Sequence, residues 1–293
     1  MKILVLTIIS LASTLSATPR VLVLLPLTGG APEMGSAGLR GVKDAESELR
    51  KEGLEFELKI EDVQFSSKQA IQVVSKGDFD GVISASSQVS IAIKPILKVP
   101  QLAIFTQSDA YSSPNDLSYR ISGLISDEWK RVAEYFNDTN ELCLLSVDAE
   151  YGEGVVKAAN IFSVRFFMDS PSLREEVDSC LKRSPKAILV AGLPRHFQAV
   201  ATRLKERNYD GILFGFRPTE AKENPGLKVV ASDCPNDCYY SEGYEATKIM
   251  VRGLLSNKPF NEWMNQTFNT RLGLLNFNSS GDTAQNFHIR ELY

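Results

Sequence analysis

Short apolar stretches alternate with longer amphipathic stretches along most of the chain. Residues 20–25 form an apolar run of strand length, whereas residues 35–51 carry small side chains one helical turn apart, as at Ala37 and Gly41. The pattern predicts strands at residues 20–25, 56–60, 80–84, 101–105, 142–147, 164–167, 187–191 and 211–214. It predicts helices at residues 35–51, 68–75, 88–97, 127–136, 154–162, 173–181 and 197–207.

Strands that alternate with helices require crossover connections and largely parallel sheets. About five such units precede Tyr119 and about five follow it, which is more than one sheet of ordinary size holds. The sequence therefore predicts an α/β protein with two Rossmann-like lobes. No linker rich in Pro, Gly or Ser separates the halves, so we expect short crossing strands, such as residues 119–122, to join them. Ligands lie beyond the carboxyl ends of such strands, so the facing lobes would enclose a cleft that closes about a hinge.

The first residues have the pattern of a secretory signal peptide. Lys2 is followed by an apolar run over residues 3–15 and then by the small residues Ser16 and Ala17. The run is too short to span a bilayer as a helix. We expect residues 1–17 to be a signal peptide that is cleaved after Ala17 and directs the chain to the periplasm. The alternative is a buried first strand or helix of the fold.

Charge and composition narrow the range of partners. The chain has 32 Lys and Arg against 36 Asp and Glu, for a formal net charge of −4, and 43% of its residues are hydrophobic. This balance disfavours a phosphate backbone as a partner, so we expect no nucleic-acid binding. After the first residues, no apolar run is long enough to span a membrane, so we expect no membrane span in the mature chain.

The four cysteines allow more than one interpretation. Cys234 and Cys238 flank a short loop of turn residues, and an exported chain could oxidise them to a disulfide or keep both as thiols. A zinc site is disfavoured because no second cysteine pair and no nearby histidine accompany them. Cys143 lies in an apolar strand, so we expect a small core residue there.

Enzymatic motifs are missing from the sequence. His196 and His288 are the only histidines, and no GxSxG nucleophile elbow, P-loop or GxGxxG fingerprint occurs. We therefore expect a protein that is not an enzyme and that uses no cofactor and no metal.

Several ordered motifs resemble the type I periplasmic substrate-binding proteins, especially the branched-chain amino-acid-binding branch that serves ABC transporters. The resemblance runs over nearly the whole chain after residue 17. The motifs are residues 25–29 (LPLTG), 34–41, 82–87, 92–96, 119–120, 148–154 (with YGEG at its end), 242–246 (EGYEA), 273–277 (GLLNF) and 280–282 (SGD).

The resemblance implies a first lobe that the chain leaves and re-enters. The first lobe would comprise residues 18–121 and about 234–271, and the second lobe residues 122–233 and about 272–293. The hinge would then consist of several strands, near residues 119–122, 228–233 and 270–274. The helix that begins at Glu242 would pack against the first lobe.

The resemblance also implies where a ligand would lie. Ser86 and Ser87, at the start of the helix after the third strand, would bind an anionic group, and helix N-termini favour such groups independently. Serine is equally suited to capping a helix, which is the alternative role of both residues. Ser108 would add a hydrogen bond from the next loop, and Tyr151 would cover the ligand from the second lobe. The alternative for Tyr151 is a half-exposed loop residue.

The departures from the family pattern bear on the ligand. Met34 occupies a position where amino-acid binders often place an aromatic residue. Arg217 lies near the position where amino-acid binders carry a glutamate that pairs with the ammonium group of the ligand. A cation at this point attracts a carboxylate or phosphate. Arg217 could instead be a solvated loop charge, and Asp109 or Glu220 could receive an ammonium group in its place.

These observations lead to one expected function with one alternative. We expect an exported, monomeric solute-binding protein that captures a small anionic or amino-acid-like ligand by hinge closure. The membrane permease of an ABC transporter is the candidate partner. The alternative is a sensory or cell-envelope regulatory protein that uses the same fold without transport.

Overall fold

The computed structural model describes residues 18–114, 116–216, 228–233, 237–284 and 287–292. Its strands are β1 (Arg20–Leu25), β2 (Glu57–Asp62), β3 (Gly81–Ala85), β4 (Gln101–Ile104), β5 (Ser118–Arg120), β6 (Leu142–Val147), β7 (Ser163–Phe166), β8 (Ala187–Ala191), β9 (Ile212–Phe216), β10 (Lys228–Asp233), β11 (Phe268–Thr270), β12 (Gly273–Leu275) and β13 (His288–Leu292). Its α-helices are α1 (Pro32–Lys51), α2 (Ser67–Lys76), α3 (Ser87–Ile93), α4 (Ile125–Phe136), α5 (Glu150–Ala159), α6 (Arg174–Leu181), α7 (Pro194–Glu206), α8 (Cys238–Leu255) and α9 (Phe260–Met264).

The first lobe is built on a parallel sheet with the strand order β2-β1-β3-β4-β5. The central strands are buried on both faces, as their continuous apolar runs predict. Helices α1 and α8 cover one face of the sheet, and α2 and α3 cover the other. The direction in which successive strands are added to the sheet reverses at β1, because β2 lies on one side of β1 and β3 lies on the other.

Helix α8 lies directly against α1, although their first residues, Pro32 and Cys238, are 206 positions apart in the sequence. Small residues allow this close approach, since a Cβ atom built on Gly41 would lie only 2.0 Å from the carbonyl oxygen of Tyr240. The side chains of Ile249 and Met250 complete the first-lobe core. The sequence predicted this location for the helix that includes Glu242.

The second lobe is built on a sheet with the strand order β13-β10-β9-β8-β6-β7, in which only the pairing of β13 with β10 is antiparallel. Helices α6 and α7 cover one face, and α4 and α5 cover the other. The prediction of two α/β lobes with largely parallel sheets is confirmed. No helix among the described residues is long and apolar enough to cross a membrane.

A disulfide links Cys143 of β6 to Cys180 of α6, with 5.7 Å between the Cα atoms. The prediction that Cys143 is only a small core residue was therefore wrong. The residue is fully buried, but the crossover from β6 through β7 brings α6 back onto the same strand. Cys238 is also disulfide-bonded. The predicted pairing of Cys238 with Cys234 involves a residue that lies outside the described ranges.

Buried polar pairs hold the crossing segments near the cleft. The guanidinium group of Arg120 donates to Asp282 Oδ1, with 2.5 Å between Nη2 and Oδ1, and neither side chain is exposed beyond 6%. The backbone amide of Phe105 and the Ser122 hydroxyl donate to the buried Glu242 carboxylate. These contacts attach the ends of β4 and β5 to segments that come much later in the chain.

The return to the second sheet occurs later than the sequence predicted. Residues 272–293 were assigned to the second lobe, but Leu275 of β12 packs in the core of the first lobe. The first described element after α8 that joins the second sheet is β13. The hairpin of β11 and β12 stays with the first lobe because its apolar side chains pack beside α8 and α9.

Candidate functional site

A cleft lies between the two lobes, at the carboxyl ends of the strands of both sheets, where ligands of open α/β sheets bind. It contains about 620 Å³ of space outside protein atoms, including some that is open to solvent. The first lobe contributes Met34, Phe65, Ser86, Ser87, Gln88, Phe105, Gln107 and Tyr239. The second lobe contributes Val147, Ala149, Tyr151, Met168, Gly192, Leu193 and Phe216.

The walls of the cleft are largely apolar, and its polar side chains are concentrated on the first lobe. The described lining residues include no Asp, Glu, Lys, Arg or His. The side-chain amides and the serine hydroxyls come from the segments that follow β3 and β4, whereas two tyrosines, Tyr151 on α5 and Tyr239 on α8, add phenol groups. Such a cavity suits a small molecule with an apolar body and a polar group directed at the first lobe.

Ser86 and Ser87 connect β3 to α3 in an uncommon backbone geometry. Ser86 has φ of 78° and ψ of 145°, which is a region that glycine tolerates far better than serine. Its hydroxyl accepts a hydrogen bond from the amide of Val89 at the start of α3. The capping role and the position on the cleft therefore coexist in Ser86.

The hydroxyl of Ser87 holds the loop that follows β4. Its Oγ atom accepts hydrogen bonds from the backbone amides of Gln107 at 3.1 Å and Ser108 at 3.2 Å. A hydroxyl oxygen has two acceptor sites, so the Ser87 hydroxyl interacts with any further group as a donor. Ser87 thus offers a hydrogen-bond donor to a ligand acceptor in the cleft.

Four of the seven residues predicted from the sequence line this cleft together. Met34 lies at the start of α1 and is buried, and Tyr151 reaches the cleft from the start of α5, half-buried between the two cores of the second lobe. Ser86 and Ser87 line the cleft from the first lobe, as Met34 does, whereas Tyr151 lines it from the second lobe. The roles of these residues in ligand binding remain predictions.

Ser108 and Asp109 do not line the cleft. The chain turns away after Gln107 into a short 3₁₀-helix that Ser108 caps, and this turn carries both side chains toward the second-lobe helices. Ser108 donates to Glu150 at 3.2 Å, and Ser126 donates to the exposed Asp109 at 2.9 Å. Neither residue is among the described residues that line the cleft, and their ligand contacts remain predictions. Arg217 and Glu220 lie outside the described residues.

Several lining residues went unnoticed in the sequence. Phe65 and Phe105 follow β2 and β4, so their positions just beyond strand ends could have identified them. The ring of Phe105 contacts that of Tyr239 edge to face, with 4.9 Å between centroids. Tyr239 lies on α8, far away in the sequence, and no local pattern indicated it.

A cluster of contacts joins the lobes at the mouth of the cleft. The guanidinium group of Arg195, at the start of α7, donates to Glu33 Oε1 at 2.6 Å and to the carbonyl oxygen of Gly30 at 2.5 Å. The same group donates to the carbonyl oxygen of Met168 at 3.0 Å. Arg195 therefore ties the loop before α1 to the second lobe.

His196 supports the second-lobe wall from behind. Its Nδ1 atom accepts from the amide of Leu193 at 3.1 Å, so the Nε2 hydrogen is donated to the carbonyl oxygen of Met168 at 2.9 Å. Burial lowers the pKa of His196 to about 4 because the charged imidazolium would lose its solvation. The neutral ring fixes two residues that line the cleft.

No protein-family model matches the sequence, and no curated protein is similar enough in sequence to count as a relative. Solved structures, in contrast, resemble this fold over 94% of the chain. An extracellular ligand-binding receptor from Desulfohalobium retbaense has a TM-score of 0.80 at 18% identity, and the chain spans 58% of its length.

Two further structures are similar over nearly their entire lengths. The leucine-binding protein LivK from Thermotoga maritima has a TM-score of 0.79 at 16% identity, with 98% of that chain covered. A solute-binding protein of an ABC transporter from Rhodopseudomonas palustris, in complex with 3,4-dihydroxybenzoic acid, has a TM-score of 0.79 at 14% identity, with 93% covered. The chain has the two-lobed α/β fold of the type I periplasmic binding proteins.

Proposed function

We propose that this chain is an exported solute-binding protein that captures a small molecule in the interlobe cleft and releases it to an ABC-type permease. The cleft itself is the observation that carries the proposal. Segments after four strands of the first lobe and three strands of the second lobe line it, together with the end of β9, and the Arg195–Glu33 contact joins the lobes at its mouth. Lobes that separate and rejoin around such a cavity can admit and then enclose a ligand.

The described residues that line the cleft are better suited to binding a ligand than to catalysing a reaction. Ser87 supplies a hydroxyl, but that hydroxyl accepts hydrogen bonds from two backbone amides, and none of its hydrogen-bond partners among the described residues is a histidine or a carboxylate. An activated serine requires an adjacent base. The described lining residues offer hydrogen bonds and apolar contact, which are the means of a binding protein.

Two features support export. The apolar run behind Lys2 has the pattern of a signal peptide. The Cys143–Cys180 disulfide is of a kind that persists in oxidising compartments such as the periplasm. Mass measurement of the protein recovered from the periplasm tests the proposal, with a chain that starts after Ala17 expected and an intact Met1 contradicting it.

The ligand that the cleft favours has an apolar body and an acidic group. The hydroxyl groups of Ser86 and Ser87 would hold the acidic group, while Tyr151, Met34 and Phe105 would contact the body. LivK is described as a leucine-binding protein, and the Rhodopseudomonas protein contains 3,4-dihydroxybenzoic acid, so the fold accommodates ligands of this general kind.

Thermal-shift screening against amino acids and matched carboxylates tests this proposal. A ligand present at 100 times its Kd adds about 2.7 kcal/mol to the free energy of unfolding. Calorimetry on the compounds that stabilise the protein should show weaker binding to Ser87→Ala and unchanged binding to Ser47→Ala, which removes an exposed hydroxyl on α1. Stabilisation by no compound would contradict the proposed function.

The same calorimetry tests the charge of the ligand. An anionic ligand that Arg217 contacts should bind more weakly to Arg217→Ala, whereas Asp109→Ala should have no effect on binding because Asp109 lies away from the cleft. Tight binding of leucine-like amino acids that Arg217→Ala leaves unchanged would refute the anionic assignment.

A further inference from the structure

The side chain of Gln107 is held in one orientation on the floor of the cleft. Its backbone amide donates to Ser87 Oγ at 3.1 Å, and its backbone carbonyl accepts from the amide of Ile125 at 3.0 Å. Its side-chain Nε2 donates to Glu128 Oε2 at 2.9 Å. Gln107 is only 6% exposed and Glu128 only 1% exposed, so these contacts are shielded from water.

The carboxylate of Glu128 decides which end of the Gln107 amide faces the cleft. An ionised carboxylate only accepts hydrogen bonds, so the NH₂ group of Gln107 must point toward it and the oxygen must point away. Within the described part of the chain, no hydrogen bond is made to Gln107 Oε1. Among the described residues, the side-chain atoms that are both enclosed and without a hydrogen-bond partner belong to Ser241 and Trp263. Gln107 Oε1 is therefore not fully enclosed, and the open space that Gln107 borders is the cleft.

We propose that Gln107 determines ligand specificity by accepting a hydrogen bond from the ligand through Oε1, and that Glu128 is the positioning residue that keeps this oxygen in place. The inference rests on the proposed function and narrows its ligand class. The backbone nitrogen of Gln107 lies 3.1 Å from Ser87 Oγ, and both residues line the cleft, so the Ser87 hydroxyl and the Gln107 side chain border the same part of it. The ligand therefore carries an acceptor and a donor close together, in addition to its apolar body.

We assign a neutral hydroxyl as the ligand group that donates to Gln107, because Oε1 is a single uncharged acceptor. An ammonium group has three N–H donors and, once water is removed, is best balanced by a carboxylate. A hydroxyl needs only the single amide oxygen that Gln107 provides. The ligand class is thus a small hydroxy-substituted carboxylic acid with an apolar side chain.

Calorimetry with two matched sets of acids tests the inference on the full exported chain. One set is 2-hydroxy-4-methylpentanoate, 4-methylpentanoate and leucine, and the other is 3-phenyllactate, 3-phenylpropanoate and phenylalanine. We expect the hydroxy acid of at least one set to bind about tenfold more tightly than its parent that lacks the hydroxyl, and more tightly than the amino acid.

Two variants assign the discrimination to particular groups. Gln107→Met should abolish the preference for the hydroxy acid over its parent, because the acceptor is gone and the volume is nearly kept. Glu128→Gln should reduce the preference, because an amide at position 128 can donate as well as accept and lets Gln107 rotate. Glu141→Gln, an exposed acid of the same lobe, should leave the preference intact. The ratio of two affinities does not change when a variant merely lowers the fraction of folded protein, which circular dichroism monitors.

Each outcome separates the inference from the proposed function. Equal binding of a hydroxy acid and its parent to the wild type would overturn the role of Gln107 and leave the proposed function standing. Tighter binding of leucine or phenylalanine would overturn the assignment of a neutral donor. Binding of none of the six acids would overturn the ligand class altogether, and a compound found by the wider thermal-shift screen would then support the proposed function alone.

Discussion

Arg195 at the start of α7 and Glu33 at the start of α1 form an ion pair across the mouth of the cleft, with 2.6 Å between Nη1 and Oε1. The two side chains are 38% and 37% exposed, so the Coulomb attraction alone contributes little. Arg195 also donates to backbone carbonyls on both sides of the mouth, those of Gly30 and Met168. Arg195 therefore stabilises the closed arrangement, in which the two lobes are in contact at the mouth of the cleft.

Removal of the Arg195 side chain should weaken ligand binding without unfolding either lobe. We expect Arg195→Ala to raise the Kd of any cleft ligand by about five- to tenfold, since about 1 kcal/mol of closed-state stabilisation is lost. Small-angle scattering should report a larger radius of gyration for the variant. Arg174→Ala is the matched control because Arg174 pairs with Glu206 within the second lobe. Equal effects of both variants would show that the cleft mouth has no special role.

The buried His196 predicts a specific pH dependence of stability. Burial lowers the pKa of His196 to about 4 in the folded protein, whereas an unfolded histidine titrates near 6.5. The unfolded chain therefore binds the extra proton first, so this contribution is complete above about pH 6.5 and is lost as the pH falls toward 4. Urea denaturation of wild type should show this loss in addition to any loss from carboxylates.

His196→Gln should remove the contribution of this one proton to the pH dependence of the free energy of unfolding. The difference in unfolding free energy between wild type and variant should change by up to ~1.4 kcal/mol per pH unit between about pH 6.5 and 4. A parallel pair of stability curves over this range would contradict the buried neutral state of His196.

Ser86 has a backbone conformation that costs stability. Glycine adopts φ of 78° without penalty, and glycine at an N-cap position is only slightly worse than serine. We expect Ser86→Gly to raise the free energy of unfolding by about 1 kcal/mol while it weakens ligand binding through loss of the hydroxyl.

Ser184 provides the control for this prediction. It is exposed and has φ of 49°, so Ser184→Gly should also stabilise the protein, but with no change in ligand affinity. Chemical denaturation and calorimetry on both variants check the two effects separately. Lower stability of Ser86→Gly would contradict the strain argument, and unchanged affinity would contradict the role of its hydroxyl.

The disulfide of the second lobe should contribute substantially to stability. Cys143 and Cys180 are 37 residues apart, and a loop of that size corresponds to about 4 kcal/mol of restricted unfolded-state entropy. We expect the double variant Cys143→Ala/Cys180→Ala to lose about that amount in urea denaturation followed by circular dichroism. Reduction of the wild type should give at least this loss, because it also breaks the disulfide of Cys238, whereas equal stabilities of oxidised and reduced protein would contradict this expectation.

The general architecture was predictable because periodicity alone distinguishes buried strands from amphipathic helices. The predicted strands at residues 20–25, 142–147 and 187–191 have the bounds that the structure shows. The disulfide was not predictable, since four cysteines allow three complete pairings and only the fold brings Cys143 to Cys180.

The location of the site was predictable where a residue directly follows a strand, or where the family resemblance marked a position, as at Met34 and Tyr151. Ser86 and Ser87 satisfy that rule and line the cleft, whereas Ser108 lies just past a turn whose direction the local sequence does not specify. The orientation of Gln107 depends on Glu128, which is 21 residues further along the chain and on the other lobe. Side-chain contacts over such distances arise from the assembled fold rather than from local pattern.

Blocking the cleft tests the central claim most directly. Ala149 lines the cleft, so Ala149→Trp should fill part of it, whereas Lys157→Trp places the same side chain on the exposed surface of α5. The measurement is calorimetry of both variants and wild type with each compound that stabilises the wild type in the metabolite screen. The account predicts that wild type and Lys157→Trp bind the compound alike and that Ala149→Trp binds it at least about a hundredfold more weakly, a loss of about 2.7 kcal/mol. Binding to Ala149→Trp as tight as to the wild type would contradict a ligand site between the lobes.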